Sequence, residues 1–400
     1  MTTTSERLAI DGGRPMRTDR LPLHKPWFDH REASAVSRVL AGTHVAGDGA
    51  YGRELEGLLR DSTGVRGVLA VNSCTAALEI AMQVAGIGPG DEVILPSFTF
   101  VSTANAVLKA GARPVFADID PRTLGLDPAD VSRRVTPRTR AILPVHYAGM
   151  ACDIQALEAI AARHRLLVIE DAAHGVNAAY RGRALGAWGA LGSLSFHETK
   201  DVVCGEGGAL LVRDDEARLH AAEVLREKGT DRTAFLRGER DKYTWVGLGS
   251  SYVLSDLLAA VAVEQFRKIP EITRRKTAQA ERLLSALAPY RAFVQTPMVP
   301  EGCRPNWHVF AILVDPARRD WALKALRAEG IAAAFHYVPL HSAPYAQASD
   351  AIAKVELPVT DRVAASLIRL PISAAFTDDD CDDIVAACVK VFERMATLPS

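Results

Sequence analysis

The chain has 400 residues, enough for two or three domains with ample core. Hydrophobic residues make up 48% and charged residues 24%, with a formal net charge of −1, so composition offers no basic face to nucleic acid or anionic lipid. No apolar run approaches a membrane span and the opening MTTTSERLAI lacks a signal-peptide core; Cys74, Cys152, Cys204, Cys303, Cys381 and Cys388 form no C-x-x-C pair, and no H-E-x-x-H occurs, which together predict a cytoplasmic protein with reduced thiols and no metal site.

Residues 1–30 carry Gly12, Gly13, Pro15, Pro22 and Pro26 and are expected to form an irregular arm. Helix is predicted over 31–41, loop over 42–51 and helix over 52–61. A repeating pattern then begins. Short apolar strands over 68–71, 92–95, 114–117, 141–145 and 166–169 alternate with helices over 75–85, 101–110, 127–134 and 153–164. A strand over 210–213 and a helix through 228 follow. The polar and aromatic stretch 229–251 has no period and is expected to be a long functional loop. Helices are predicted over 252–266 and 271–287, with Pro270 a hinge between them. Beyond about residue 290 come a strand over 309–314, a helix over 317–329, a strand over 331–336 and helices near 360–369 and 377–395. Continuous apolar strands alternating with helices imply an α/β fold with a mainly parallel sheet covered on both faces. The predicted division is an arm (1–30), a large domain (31–270) and a smaller α+β domain (271–400). In such sheets ligands bind at the C-terminal ends of the strands.

Four clusters fall at those ends. Asn72-Ser73-Cys74-Thr75 joins a strand to a helix, where N–H groups and hydroxyls make an anion site, or simply a helix cap. Pro96-Ser97-Phe98-Thr99-Phe100 offers an aromatic face to a planar ligand, or a core phenylalanine. In Glu170-Asp171-Ala172-Ala173-His174 an apolar strand delivers an acid to a buried end, which is costly unless the acid is paired; a protonated pyridine nitrogen would pair it, and a helix cap is the plainer alternative. The last is Ser193–Ala209, where Ser193 and Ser195 alternate with Leu194 and Phe196 as in a strand with one polar face. It carries Lys200 beside Gly205, Gly207 and Gly208. Burial favours the neutral amine, the form that attacks a carbonyl. Singly each cluster is weak. In this order they match what pyridoxal 5′-phosphate (PLP) needs: a phosphate cradle, a stacking face, an acid for N1 and a lysine for the aldehyde.

These residues, with S-F-H-E-T-K (195–200), R-E-K-G-T-D-R (226–232), D-K-Y-T-W (241–245), G-S-S-Y (249–252) and F-H-Y-V-P-L-H (335–341), resemble the DegT/DnrJ/EryC1/StrS family of sugar-nucleotide aminotransferases of fold type I. The resemblance spans nearly the whole chain and is strongest to the branch that aminates C4 of a dTDP-4-keto-6-deoxyhexose. It implies the aspartate aminotransferase-like fold, PLP as cofactor, and a homodimer with shared active sites. Lys200 would bond the aldehyde and Asp171 would hold N1 protonated. Ser73, Cys74, Thr75 and Ser195 would bind the phosphate, and Phe100 would stack on the ring. Phe335, His336, Tyr337 and His341 would line the sugar side. His174 stands where many members have glutamine and can still donate a hydrogen bond. Ser251 stands where many place an asparagine that reaches the partner's cofactor phosphate, so that contact is in question. Arg232, Arg237 and Lys242 are candidate diphosphate contacts, though each could equally be a solvated surface residue. Tyr243 and Trp245 could pack on base or sugar, or form the subunit interface.

The implied reaction is ping-pong: glutamate gives its amino group to the cofactor, 2-oxoglutarate leaves, and the keto sugar takes the group up. Three rivals stand beside it. Amination at C3 of a 3-keto sugar uses the same chemistry. Pyridoxamine-dependent sugar dehydration would replace the lysine with histidine. A non-catalytic sensor would lose part of the Asp171–Lys200 set, which is intact here.

Overall fold

The computed structural model describes residues 7–398; the first six residues of the predicted arm lie outside the described residues. Seven strands form the central sheet: β1 (Gly67–Val71), β2 (Glu92–Pro96), β3 (Arg113–Ala117), β4 (Thr139–Ile142), β5 (Leu167–Asp171), β6 (Leu191–Ser195) and β7 (Gly208–Val212). Their order is β1-β7-β6-β5-β4-β2-β3. β6, β5, β4, β2 and β3 run parallel, whereas β7 is antiparallel to both its neighbours. Almost every sheet residue is buried, because helices cover both faces. Register brings four functional ends to one edge. Gly208 opens β7 opposite both Val71, which closes β1, and Ser195, which closes β6. Asp171 closes β5 beside Ser193.

A second apolar core forms around helices Ile269–Leu287, Pro316–Ala328 and Asp378–Ala396 and the antiparallel pair β8 (Phe310–Leu313) and β9 (Leu367–Leu370). Leu8 and Leu21 of the arm belong to this core.

Several elements differ from expectation. The helix predicted over 360–369 ends at Ser366, and Leu367–Leu370 is strand β9, because its alternating side chains pair with β8. No strand forms over 331–336; Ile331 and Ala334 make only isolated bridges, to Leu21 and Arg369. The strand over 141–145 stops at Ile142, just before Pro144. Residues 252–255 are not helical, since Val253 bridges to Val71 and Ser255 to Gly47. Pro270 lies in the first turn of helix Ile269–Leu287, where its missing N–H costs nothing. Residues 229–251 contain a short helix, Arg232–Leu236. β6 is buried on both sides rather than presenting one polar face, and Ser193 Oγ donates to the Glu170 carbonyl at 3.2 Å.

Candidate active site

A cavity of about 500 Å³ opens at the strand-end edge, between the sheet and the second core. Ser73, Cys74, Thr75, Phe100, Asp171, His174, Ser195, Lys200, His336 and Tyr337 all line it. A larger hollow of about 880 Å³ lies between the arm and the last helix. Its central cation, Arg17, is already paired with Asp19, Asp380 and Asp383, and no lysine, cysteine or histidine among the described residues lines it.

Lys200 sits on the loop from β6 to β7. The loop is closed by Glu198 N–H donating to the Gly205 carbonyl, Cys204 N–H to Phe196, and Lys200 N–H to His197, each at 2.9 Å. Val202 and Val203 anchor it in the core. The Lys200 amine makes no hydrogen bond among the described residues. Burial lowers its proton affinity, against the pull of Cys74, Asp171 and Asp201. The amine is therefore held closer to its nucleophilic form than a solvated lysine.

Asp171 is fixed from three sides. Its N–H donates to Pro144 O at 2.9 Å, Oδ1 accepts from Ala173 N–H at 3.1 Å, and Oδ2 accepts from Thr103 Oγ1 at 2.8 Å. Burial raises its pKa, and these two donors oppose the rise. A cation delivered into the cavity would complete the pairing.

The turn after β1 makes the cradle. Ser73 caps helix Cys74–Val84, its Oγ accepting from Ala76 N–H at 3.1 Å. The first-turn N–H of Thr75 has no partner among the described residues, and Thr75 Oγ1 meets Ser102 Oγ at 2.8 Å. β7 lies tightly against this turn: a Cβ on Gly208 would fall 2.5 Å from Cys74 N. Only glycine permits that approach. Free N–H groups at a helix start, a desolvated amine and a braced carboxylate fit a group carrying phosphate, aldehyde and ring nitrogen.

The opposite wall is histidine-rich. His174 Nδ1 accepts from Ala148 N–H at 3.2 Å, and its ring lies 4.2 Å from that of His308. Arg369 donates to His336 Nε2 at 3.3 Å; since guanidinium can only donate, Nδ1–H of His336 points to the Tyr147 hydroxyl at 3.0 Å. Burial, reinforced by Arg369 and Lys200, pushes His336 down to about 2 and leaves it neutral. Arg369 has no carboxylate partner among the described residues, and its Nε is buried without a hydrogen bond. It thus brings an uncompensated cation to the cavity.

The other predicted contacts lie elsewhere in the chain. His341 is buried behind the cavity, joining Ser97 Oγ at 2.8 Å and Asp361 at 3.3 Å. Arg232 pairs with Glu227 at 3.2 Å, and Arg237 with Glu223 and Glu239. Lys242 is exposed, as is Tyr243, which packs on Phe235. Trp245 is 78% exposed. Ser251 is exposed, its carbonyl accepting from Asn72 Nδ2 at 3.3 Å. Phe335 is also exposed, under Arg319. Sequence reasoning missed Thr103, His308 and Arg369. Thr103 lies on the predicted helix 101–110, one turn after Phe100, which was a usable signal. Arg369 was assigned to a helix and carried none.

A family model for the DegT/DnrJ/EryC1/StrS aminotransferase family matches residues 26–389. The spore coat polysaccharide biosynthesis protein SpsC of Bacillus subtilis (strain 168) is 35% identical over 379 residues, 93% of this chain and 97% of SpsC. Among solved structures, the aminotransferase TlmJ from Streptoalloteichus hindustanus matches with TM-score 0.86 at 30% identity, over 94% of this chain and all of TlmJ. DesV of S. venezuelae, solved in complex with a ketimine intermediate, matches with TM-score 0.85 at 31% identity, over 96% of this chain and all of DesV. Fold and site together define a PLP-dependent sugar aminotransferase of fold type I. The chain belongs to the DegT/DnrJ/EryC1/StrS aminotransferase family.

Proposed function

We propose that this enzyme moves an amino group from glutamate to C4 of a dTDP-4-keto-6-deoxyhexose. The reading rests on one observation above the rest: the unpaired amine of Lys200 shares a cavity with the braced carboxylate of Asp171, the cradle at Ser73–Thr75 and the uncompensated cation of Arg369. The motifs at 226–232, 241–245 and 335–341 support the C4 branch. When bound, PLP supplies an aldehyde that takes the amino group and a ring that spreads the electron pair left on the donor's Cα.

The residues divide the remaining work. Ser73, Cys74, Thr75 and Ser195 hold the phosphate. Asp171 keeps N1 protonated, with Thr103 steadying its carboxylate. Phe100, 59% exposed at the cavity mouth, covers one ring face, and His174 bounds the cavity on the side of His308. Arg369 receives a donor carboxylate by charge-assisted hydrogen bonds. Lys200 Nζ carries the proton between the donor's Cα and the cofactor's C4′. His336 and Tyr337 face the sugar, while His341 acts from behind through Ser97.

The exposed side chains Phe235, Leu236, Tyr243, Trp245, Val246 and Leu248 support a homodimer in which residues 229–251 cross to the partner. Arg232, Lys242, Tyr243 and Ser251 then meet the partner's nucleotide and cofactor. The arm, large and small domains divide at 30 and 270 in this reading, and the cytoplasm is the proposed compartment.

The test follows the visible absorbance of the purified PLP-loaded protein. Glutamate should bleach the band, and dTDP-4-keto-6-deoxyglucose should restore it. Bleaching without return points to another sugar, such as a 3-ketohexose. No band after PLP is added overturns the aminotransferase site.

A further inference from the structure

Two charged side chains are buried directly behind Lys200 and have no place in the chemistry above. Lys276, on helix Ile269–Leu287, is 1% exposed. Its Nζ pairs with Asp201 Oδ1 and donates to the His308 carbonyl at 3.4 Å. Asp201 is the residue after Lys200. His308 Nδ1 lies 3.6 Å from the same Oδ1, and the His308 ring packs against His174 in the cavity wall. Asp201 Oδ2 is buried with no hydrogen bond among the described residues.

Stability does not account for this pair. A buried ion pair is often no better than well-packed apolar side chains, and one with an unsatisfied oxygen is worse. Its placement does account for it. Helix Ile269–Leu287 contributes to the second core, and the pair ties it to the loop that carries the reacting lysine. A carboxylate next to Lys200 favours a proton on that lysine's nitrogen. The Lys276 ammonium offsets the carboxylate.

The other groups facing Lys200 are few. Cys74 comes from helix Cys74–Val84, Asp171 from β5, Arg369 from β9, and His174, His308, His336 and Tyr337 from connecting segments, while His24 of the arm faces Lys276 and Asp201 and is pushed down to about 4 by burial. Burial pushes the Cys74 thiol up to about 12, and burial holds His174, His308 and His336 well below their ordinary range. Glu206 and His197 stand 3.7 Å apart at the mouth. Near Lys200 the fixed charges are therefore Asp171, Arg369 and the Asp201–Lys276 pair.

We propose that Lys276 and Asp201 are positioning residues for Lys200, which anchor its loop to helix Ile269–Leu287 and set how readily its nitrogen gives up a proton. This rests on Lys200 being the amine that bonds the cofactor. The two members act in opposite directions. Lys276→Met leaves Asp201 uncompensated and favours the proton on Lys200. Asp201→Asn leaves Lys276 uncompensated and disfavours it.

The experiment is a spectrophotometric pH titration of the visible band in PLP-loaded protein, beside thermal melting of each variant. The midpoint should rise in K276M and fall in D201N, each on the order of half to one pH unit. The double variant should return close to wild type. Unchanged midpoints, or single variants that shift the same way, overturn the proposal. If K276M does not fold, D201N decides alone: a fall supports the pair and no fall overturns it. A wild-type protein with no band overturns instead the reading of Lys200 itself, a different failure from a wild-type band whose midpoint the variants leave in place.

Discussion

Lys200, Asp171 and Arg369 make three different demands of one cavity, and each predicts its own failure. Lys200→Ala removes the only amine lining the cavity among the described residues and should abolish steady-state amination, measured as product sugar over hours. Thr103→Val deletes the donor 2.8 Å from Asp171 Oδ2. A hydrogen bond to a charged acceptor is worth about 1.5–3 kcal/mol, so PLP affinity should fall roughly 10- to 100-fold, read by titrating the visible band. Arg369→Leu takes away the cation proposed to receive the donor carboxylate. It should raise the KM for glutamate by a similar factor and leave PLP binding nearly intact. Loss of PLP binding with an unchanged KM would place Arg369 in the cofactor site instead.

At the scale of elements, the contacts between chain segments carry the site. Asp118, just past β3, accepts from Val359 N–H at 3.0 Å and from Thr360 N–H and Oγ1 at 2.8 Å, capping helix Pro358–Ser366 from the far side of the chain. Asp118→Ala leaves those donors without their acceptor and should cost about 2–3 kcal/mol, seen as a lower urea midpoint. The helix-and-strand alternation from 68 to 171 was legible because short apolar runs recur between helices, three of which begin at a polar cap, Ser73, Asp127 and Asp153. Ser73 and Asp171 were legible for the same reason, since a strand that ends in a polar group at a sheet edge announces a site. Leu367–Leu370 was not legible. Four residues directly after a helix hold no period of their own, and only β8, far away in sequence, makes them a strand. Arg369 was lost with them. Asp201 and Lys276 were illegible too, because a charged residue in a loop and another on an amphipathic helix both look solvated until the fold buries them together.

At the scale of the whole molecule, folding keeps several histidines neutral. Burial, with Lys276 nearby, pushes His24 down to about 4; burial and the Lys200 and Arg369 cations hold His174, His308 and His336 low. Below about pH 6.5 the unfolded chain takes up protons that the folded chain refuses. Stability should therefore be full above 6.5 and decline as pH falls toward 4, by about 1.4 kcal/mol per pH unit for each such proton. His146 has the opposite sense. Burial works against its proton, yet Cys152 and Glu170 beside it push it up to about 10, so its share is whole below 6.5 and fades as pH climbs toward 10. Urea midpoints measured from pH 4 to 9 test both signs. The antiparallel placement of β7 also governs when the enzyme can exist during synthesis. β1 has no neighbour in the sheet except β7, so the strand that leads into the cradle has no place in the sheet until Gly208–Val212 has been made. A ribosome-bound chain that stops short of residue 208 already owns Ser73, Asp171 and Lys200, yet lacks the strand through which β1 joins the sheet. Assembly of the site is thus a late, long-range closure, slow by contact order, and cofactor capture has to wait for it.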